Sequence, residues 1–230
     1  MKKIALILAA AFILGPITAT AGDVEDRVVR SAIVMREVMG IREKGIPQDL
    51  IDKCHCVIVI PSMLEGGFML AGNYGKGVMA CRLDEGAGPW SAPSMTMIGG
   101  GSFGLQIGGQ AVDLVLLVMN MRGMRSLLDS KFTLGGDASV AAGPVGRTAS
   151  AETDARFSAE ILAYSRGRGL FGGIAIKGGV LRPDQDANTA LYGKSVGAGN
   201  LLLNRTDVIP RDARIFIDEL NKISPKKKTS

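Results

Sequence analysis

SMTMIGGGSFGLQIGGQAVDLVLLVM, residues 94–119, is the stretch on which the fold turns. Its glycines satisfy G-x-G-x-x-G through Gly99, Gly101 and Gly104, and G-x-S-x-G through Gly100, Ser102 and Gly104. A dinucleotide-binding loop needs a strand before the glycines, a helix after them and an acidic residue about 20 positions on. SMTMI can be the strand, but Gly108-Gly109 would break a helix in its second turn, and LQIGGQAVDLVLLV reads better as two strands. A nucleophile elbow also needs a helix directly after its serine, and a triad histidine later in the chain. The single histidine, His55, comes earlier. The order His55, Asp84, Ser102 matches another hydrolase arrangement, yet His55 heads the strand-like run VIVIP, and nothing around Ser102 beyond its glycines resembles that class. The stretch is therefore read as a glycine-bent strand, with Ser102 a packing residue.

The same rhythm of glycines and alternating apolar residues recurs over 66–83 and 169–181, while KFTLGGDASVAAGPVG (131–146) and FSAEILAYSRGRGLFGGIAIKGGVL (157–181) supply further β-type runs. Glycines inside strand patterns mark bulges, bends or close backbone approach. Together they predict a strongly curved antiparallel β core, barrel-like or a sandwich. Helical spacing appears at Val24, Val28, Ala32, Met35 and Met39, with Asp23 as N-cap and Gly40 as terminator. Further helices are expected over 47–53, over 120–129 with Asn120 as cap, after Arg182 in RPDQDANTALYG, and over 210–223. Helices at both termini around a β core make the chain α+β.

The first 21 residues have the layout of a secretory signal peptide: Lys2 and Lys3, an apolar stretch from Ile4 to Leu14, then Ala19-Thr20-Ala21. Cleavage is placed after Ala21, leaving one domain over 22–223 and a basic, disordered tail over 224–230. The apolar stretch is too short for a permanent span, and no later window reaches the roughly 18 apolar residues a span needs. The expected location is periplasmic or secreted, not integral to a membrane. Without Lys2 and Lys3 the chain carries 25 basic and 22 acidic residues, and Lys226-Lys227-Lys228 accounts for the excess. The folded body is close to neutral, which gives no case for a nucleic-acid partner.

Cys54, Cys56 and Cys81 leave an odd thiol in an oxidising compartment whichever pair forms. Strand alternation would put Cys54 and Cys56 on one face and His55 on the other, which argues against a Cys-His-Cys metal site. Cys81 can bond either across neighbouring strands. Asp184, Asp186 and Asn188 have the spacing of a calcium loop, but Thr189 replaces its glycine and Ser195 its bidentate glutamate. A helix start with carboxylates near its positive end explains the same residues. No metal and no cofactor is expected. The chain has too few proton-transfer groups in a plausible arrangement to be read as an enzyme.

Seven stretches, IPQDLIDKCHCVIVIP (46–61), GNYGKGVM (72–79), WSAP (90–93), GGSFGLQIGGQAVDLVLLVMN (100–120), KFTLGGDASVAAGPVGR (131–147), AYSRGRGLFGGIAIKGGVLRPD (163–184) and ANTALYG (187–193), together resemble the SYLF domain family. That family is known from lipid-binding and actin-associated eukaryotic proteins and from exported bacterial ones. The resemblance covers residues 24–222 and implies a non-enzymatic module that binds anionic lipid, phosphoinositides in eukaryotic relatives. In relatives an N-terminal amphipathic helix is implicated in membrane contact; here that helix has mixed charge. The expected partner is an anionic lipid or membrane surface. The alternative is a structural or protein-interaction module of the cell envelope.

Cations beside glycine-rich turns can hold anions together with backbone N–H groups. Lys76, Arg147, Arg166 and Arg168 are such cations, and an apolar gap edged by Tyr74, Trp90, Phe103 and Phe171 could take an acyl chain. The competing reading has these arginines capping carbonyls or pairing with Asp137, Asp154 and Asp184.

Overall fold

Alternation along CVIVI sends Cys56, Ile58 and Ile60 to one face and Val57 and Val59 to the other, and all five are fully buried. A strand apolar on both faces must lie at the centre of a covered sheet, and this one does. The computed structural model describes residues 21–41, 43–66, 72–100, 110–128, 131–146, 159–204 and 209–225.

Nine strands among these residues form one curled, half-barrel sheet: β1 (Cys56–Gly66), β2 (Gly72–Cys81), β3 (Ser94–Gly99), β4 (Gln110–Val118), β5 (Phe132–Thr133), β6 (Val140–Ala142), β7 (Ile161–Gly167), β8 (Leu170–Gly173) and β9 (Val180–Pro183). The order is β5-β9-β3-β2-β1-β4-β7-β6, with β8 also on β7. Seven of the eight strand pairings are antiparallel, as the glycine-punctuated runs predict; β6 runs parallel to β7. Residues 161–163 of β7 pair with β6 and residues 164–167 with β8, so two short segments share one edge.

Helices α1 (Ala21–Met39), α2 (Gln48–Lys53), α4 (Gln185–Tyr192) and α6 (Arg211–Ile223) contribute to the core on the Val57 face. The Ile58 face is covered by α3 (Met121–Ser126), α5 (Ala198–Leu203) and side chains such as Phe132, Leu134 and Ile176. Local signals set most helix ends. Asn120 accepts the Gly123 N–H at 2.9 Å to cap α3, Asp184 accepts the Ala187 N–H at 3.3 Å to cap α4, and Gly193 ends α4 with φ 68°. No helix among the described residues is long and apolar enough to cross a membrane.

Two of the three residues of the calcium-like spacing, Asp184 and Asn188, are engaged by the fold, and Asp186 is exposed. Asp184 also takes Arg27 Nη1 at 2.8 Å, in an ion pair joining α1 to α4 with both side chains buried. Asn188 accepts the Met95 N–H at 2.8 Å and donates to Ser94 Oγ at 3.3 Å, fastening α4 to β3.

The cysteines separate differently from the expected alternation. Cys54 is the C-cap of α2, not a strand residue, and its thiol donates to the Ile51 carbonyl at 3.2 Å. It packs in the Val57 core, whereas Cys56 lies on the opposite face and forms a disulfide with Cys81, its direct cross-strand partner. Burial pushes the Cys54 thiol up to about 12. An unfolded thiol ionises at its ordinary pKa, so above about pH 9 the unfolded state holds fewer protons than the folded one, and stability falls as pH rises. The expected loss is about 1 kcal/mol between pH 9 and 10, approaching about 1.4 kcal/mol per pH unit above that. Thermal melts should show it in the wild type and lack it in Cys54→Ala; equal slopes would refute it.

Candidate functional site

The site begins at an irregularity in β1. Its pairing register shifts between Ile60 and Met63, where Pro61 and Ser62 form a bulge and Ser62 has φ 49°. Opposite the bulge, a Cβ on Gly77 would fall 2.0 Å from the Val59 carbonyl oxygen, so the glycine lets the two backbones approach. The Ser62 N–H is thereby turned toward β4 and donates to Asp113 Oδ1 at 2.9 Å.

Asp113 lies directly across from Arg166 on β7. Arg166 donates from Nε at 3.0 Å and from Nη2 at 2.7 Å to Asp113 Oδ2, while Nη1 donates to Glu37 on α1. Burial pulls the Arg166 pKa down, but the hydrogen bonds to Asp113 and Glu37 outweigh it, and the guanidinium stays charged. Beyond Arg166, β7 turns into β8 through Arg168 and Gly169, whose φ values are 50° and 79°. Positive φ at both central residues is the signature of a tight type I′ hairpin.

Two clefts open along this edge and share Ser62. One, of 330 Å³, is lined by Ser62, Ala111, Asp113 and the segment Arg166 to Gly169. The other, of 290 Å³, lies between the start of α1 and β1–β2, where the carboxylates of Asp23 and Asp26 line it together with Arg27, Arg30, Leu64, Tyr74 and Lys76. A larger cleft of 530 Å³ sits at the α1–α2 connection, but its described lining has the carboxylate of Asp49 and no cation.

Four of the sequence-predicted site residues, Tyr74, Lys76, Arg166 and Arg168, meet along this edge. Arg27 and Arg30, which also line it, are paired with Asp184 and Asp26. Lys76 and Arg168 have no ion-pair partner among the described residues. Arg166 pairs with Asp113 and Glu37, not with the aspartates singled out from sequence: Asp137 accepts the Thr133 N–H at 2.7 Å, Asp184 holds Arg27, and Asp154 lies outside the described residues.

Trp90 does not edge the site. It is buried at the opposite end of the sheet, with the Arg82 guanidinium 4.2 Å from its ring centroid and its indole N–H donating to the Ser224 carbonyl at 3.1 Å. Phe171 is half-buried and stacks on Tyr164, ring centroids 5.7 Å apart, so it walls the core more than it lines a gap. Phe103 and Arg147 lie outside the described residues, as does the GGGSFG serine. The gap expected for an acyl chain, edged in part by Phe103, falls partly outside the described residues; the two clefts along this edge lie at the strand ends. Sequence reading overlooks Ser62, Asp113, Glu37, Leu64 and Leu170. Asp113 carries a signal, as the one charged residue in the apolar strand QAVDLVLLV.

The family described as "Ysc84: Las17-binding protein actin regulator" matches residues 99–223, just over half of the chain; the match takes in the lining of the 330 Å³ cleft apart from Ser62, and none of the lining of the 290 Å³ cleft. The chain belongs to the Ysc84 (SYLF) family. The Ysc84-family relatives include an SH3 domain-containing protein of Schizosaccharomyces pombe, 35% identical over 179 residues, 76% of this chain and 41% of that protein. Protein YSC84 of Saccharomyces cerevisiae is 32% identical over 187 residues, 80% of this chain and 39% of that protein. Human SH3 domain-containing YSC84-like protein 1 is 31% identical over 191 residues, 80% of this chain and 54% of that protein. The chain thus spans between 39% and 54% of these three Ysc84-family relatives.

Proposed function

We propose that this Ysc84-family chain binds anionic lipid surfaces, without catalysis, through the strand-end edge that carries Lys76 and Arg168. One observation carries the reading: these two cations, unpaired among the described residues, share that edge with three exposed apolar side chains, Leu64 (59% exposed), Tyr74 (49%) and Leu170 (78%). Cations next to exposed apolar groups fit the interfacial layer of a membrane, where side chains enter the headgroup region and charges meet phosphate. The Cys56–Cys81 disulfide fits an exported location.

Arg168 adds an argument from strain. A non-glycine residue with φ 50° costs of order 1 kcal/mol unless Asn, Asp or Gly stands there. Such a cost is tolerated where the side chain has a use. Arg168→Asn is therefore expected to raise stability by about 0.5–1 kcal/mol while weakening adsorption to vesicles. A change of the same sign in both measurements would remove this argument.

The direct test is cosedimentation with phosphatidylcholine vesicles carrying increasing phosphatidylglycerol. Each surface cation contributes about 1 kcal/mol, so the Lys76→Glu/Arg168→Glu pair is expected to bind at least about tenfold more weakly, with a salt-sensitive wild type. Wild-type binding that the double variant retains in full would sink the assignment.

A second reading has the same edge docking a protein. It is favoured by the name of a Saccharomyces cerevisiae relative, "LAS seventeen-binding protein 3", 32% identical over 182 residues. An acidic or extended partner could use the same cations and apolar side chains. Absence of vesicle binding at every phosphatidylglycerol content favours it.

A further inference from the structure

We infer that Glu37 is an intramolecular competitor for the anion at this edge: its carboxylate takes Nη1 of Arg166, the guanidinium nitrogen that Asp113 does not engage, and Arg166 lines the 330 Å³ cleft. This rests on the edge being an anion site and adds the residue that sets its affinity.

The two carboxylates on Arg166 are held very differently. Asp113 receives three hydrogen bonds, from Ser62 N–H and from Nε and Nη2 of Arg166, and its side chain is 18% exposed. It is a positioning group that aims the guanidinium and is not displaced. Glu37 reaches Arg166 from α1, and its side chain is 51% exposed. A solvent-facing carboxylate that gives up a contact is rehydrated at little cost, whereas stripping a buried one from three donors is expensive. An arriving phosphate therefore replaces Glu37 and leaves Asp113 in place. The freed Nη1 of Arg166 is then offered to it together with Arg168 and the exposed Arg168–Gly169 turn, residues that line one cleft.

Charge gives the size of the effect. Asp113 cancels much of the Arg166 charge, so with Glu37 also in place the cleft offers an anion little beyond Arg168. Removing a carboxylate within a few ångströms of the bound phosphate, near the surface, is expected to tighten binding about three- to tenfold.

The experiment uses the full chain and two probes that share phosphate chemistry. Inorganic pyrophosphate is titrated while the amide resonances of Gly167 and Gly169 are monitored; phosphatidylcholine–phosphatidylglycerol vesicles are cosedimented in parallel. Glu37→Gln is expected to bind pyrophosphate about three- to tenfold more tightly than wild type, and Glu37→Ala to move in the same direction. Glu25→Gln removes one negative charge elsewhere on α1, at an exposed position, and should change nothing. Equal affinities for wild type and both Glu37 variants, or an equal gain from Glu25→Gln, overturn the inference. If pyrophosphate shows the expected order while no protein binds vesicles, the competition stands and the lipid reading falls. If neither probe binds any of the proteins, both fall. Glu37 is half exposed, so folding should survive its substitution; unchanged melting temperatures verify this.

Discussion

Asp184→Ala is expected to cost about 3–5 kcal/mol, because it strands a buried charge and removes a helix cap in one step. Asp184 Oδ2 takes Arg27 Nη1 at 2.8 Å, with the two side chains only 5% and 8% exposed. Its other oxygen accepts the Ala187 N–H at the start of α4. Without the carboxylate, Arg27 must either stay buried and unpaired or leave its place on α1, whose apolar side packs in the core through Val24, Val28 and Met35. Both routes are costly. Urea unfolding should show the loss in the transition midpoint. The double substitution Arg27→Met/Asp184→Ala should recover much of it, since replacing both charges avoids the unpaired one. A single variant within about 1 kcal/mol of wild type would mean that the pair contributes little.

Gly143→Ala should be as damaging for a steric reason. A Cβ at this position would lie 2.1 Å from Tyr164 Cζ and 2.4 Å from both Cε atoms, that is, inside the face of the ring. The ring has no room to retreat. Tyr164 is fully buried, stacks on Phe171 at an interplanar angle of 5°, and donates its hydroxyl proton to the Pro144 carbonyl at 3.2 Å. Relief would require moving β6 off β7 or breaking the stack. A loss of about 3 kcal/mol, or failure to accumulate folded protein, is expected. Gly199→Ala is the contrasting case. It lies in α5 with nothing within 4 Å of the added carbon, and should be neutral or slightly stabilising. Comparable losses in the two variants would show that the Tyr164 contact is not what matters at Gly143.

How much the chain alone reveals depends on how local the cause is. Caps are short-range, so Asn120 places the start of α3, although the expected helix over 120–129 runs past its end at Ser126. Alternation correctly makes VIVIP a strand, and glycine pairs correctly mark a curved sheet. Periodicity misses α5 because AGNLLL comes after a glycine-containing loop, is a single short turn and a half, and owes its helicity to Leu202 packing under the sheet. Alternation puts Cys54 on the wrong face because a helix C-cap two residues before Cys56 breaks the pattern between them. At the candidate site, Lys76 and Arg168 can be picked out from their glycine neighbours. Their separation from Trp90 cannot, since β2 carries Lys76 and the segment leading to Trp90 toward opposite ends of the sheet. Asp113 and Glu37 are far from Arg166 in sequence, and only the β4–β7 register and the path of α1 bring the three together.

The Arg82–Trp90–Ser224 clamp has a consequence for geometry at a surface. Arg82 donates to the Ser224 carbonyl at 2.8 Å and to its hydroxyl at 2.5 Å, and Ser224 in turn donates to Asp52. The end of α6 is thus pinned at the pole away from Lys76, six residues further along a strand path or about 20 Å. A chain lying on a bilayer by its charged edge would hold residue 225 on the side facing away from the lipid. Whatever follows residue 225 would leave the fold on that side, turned toward the surrounding water.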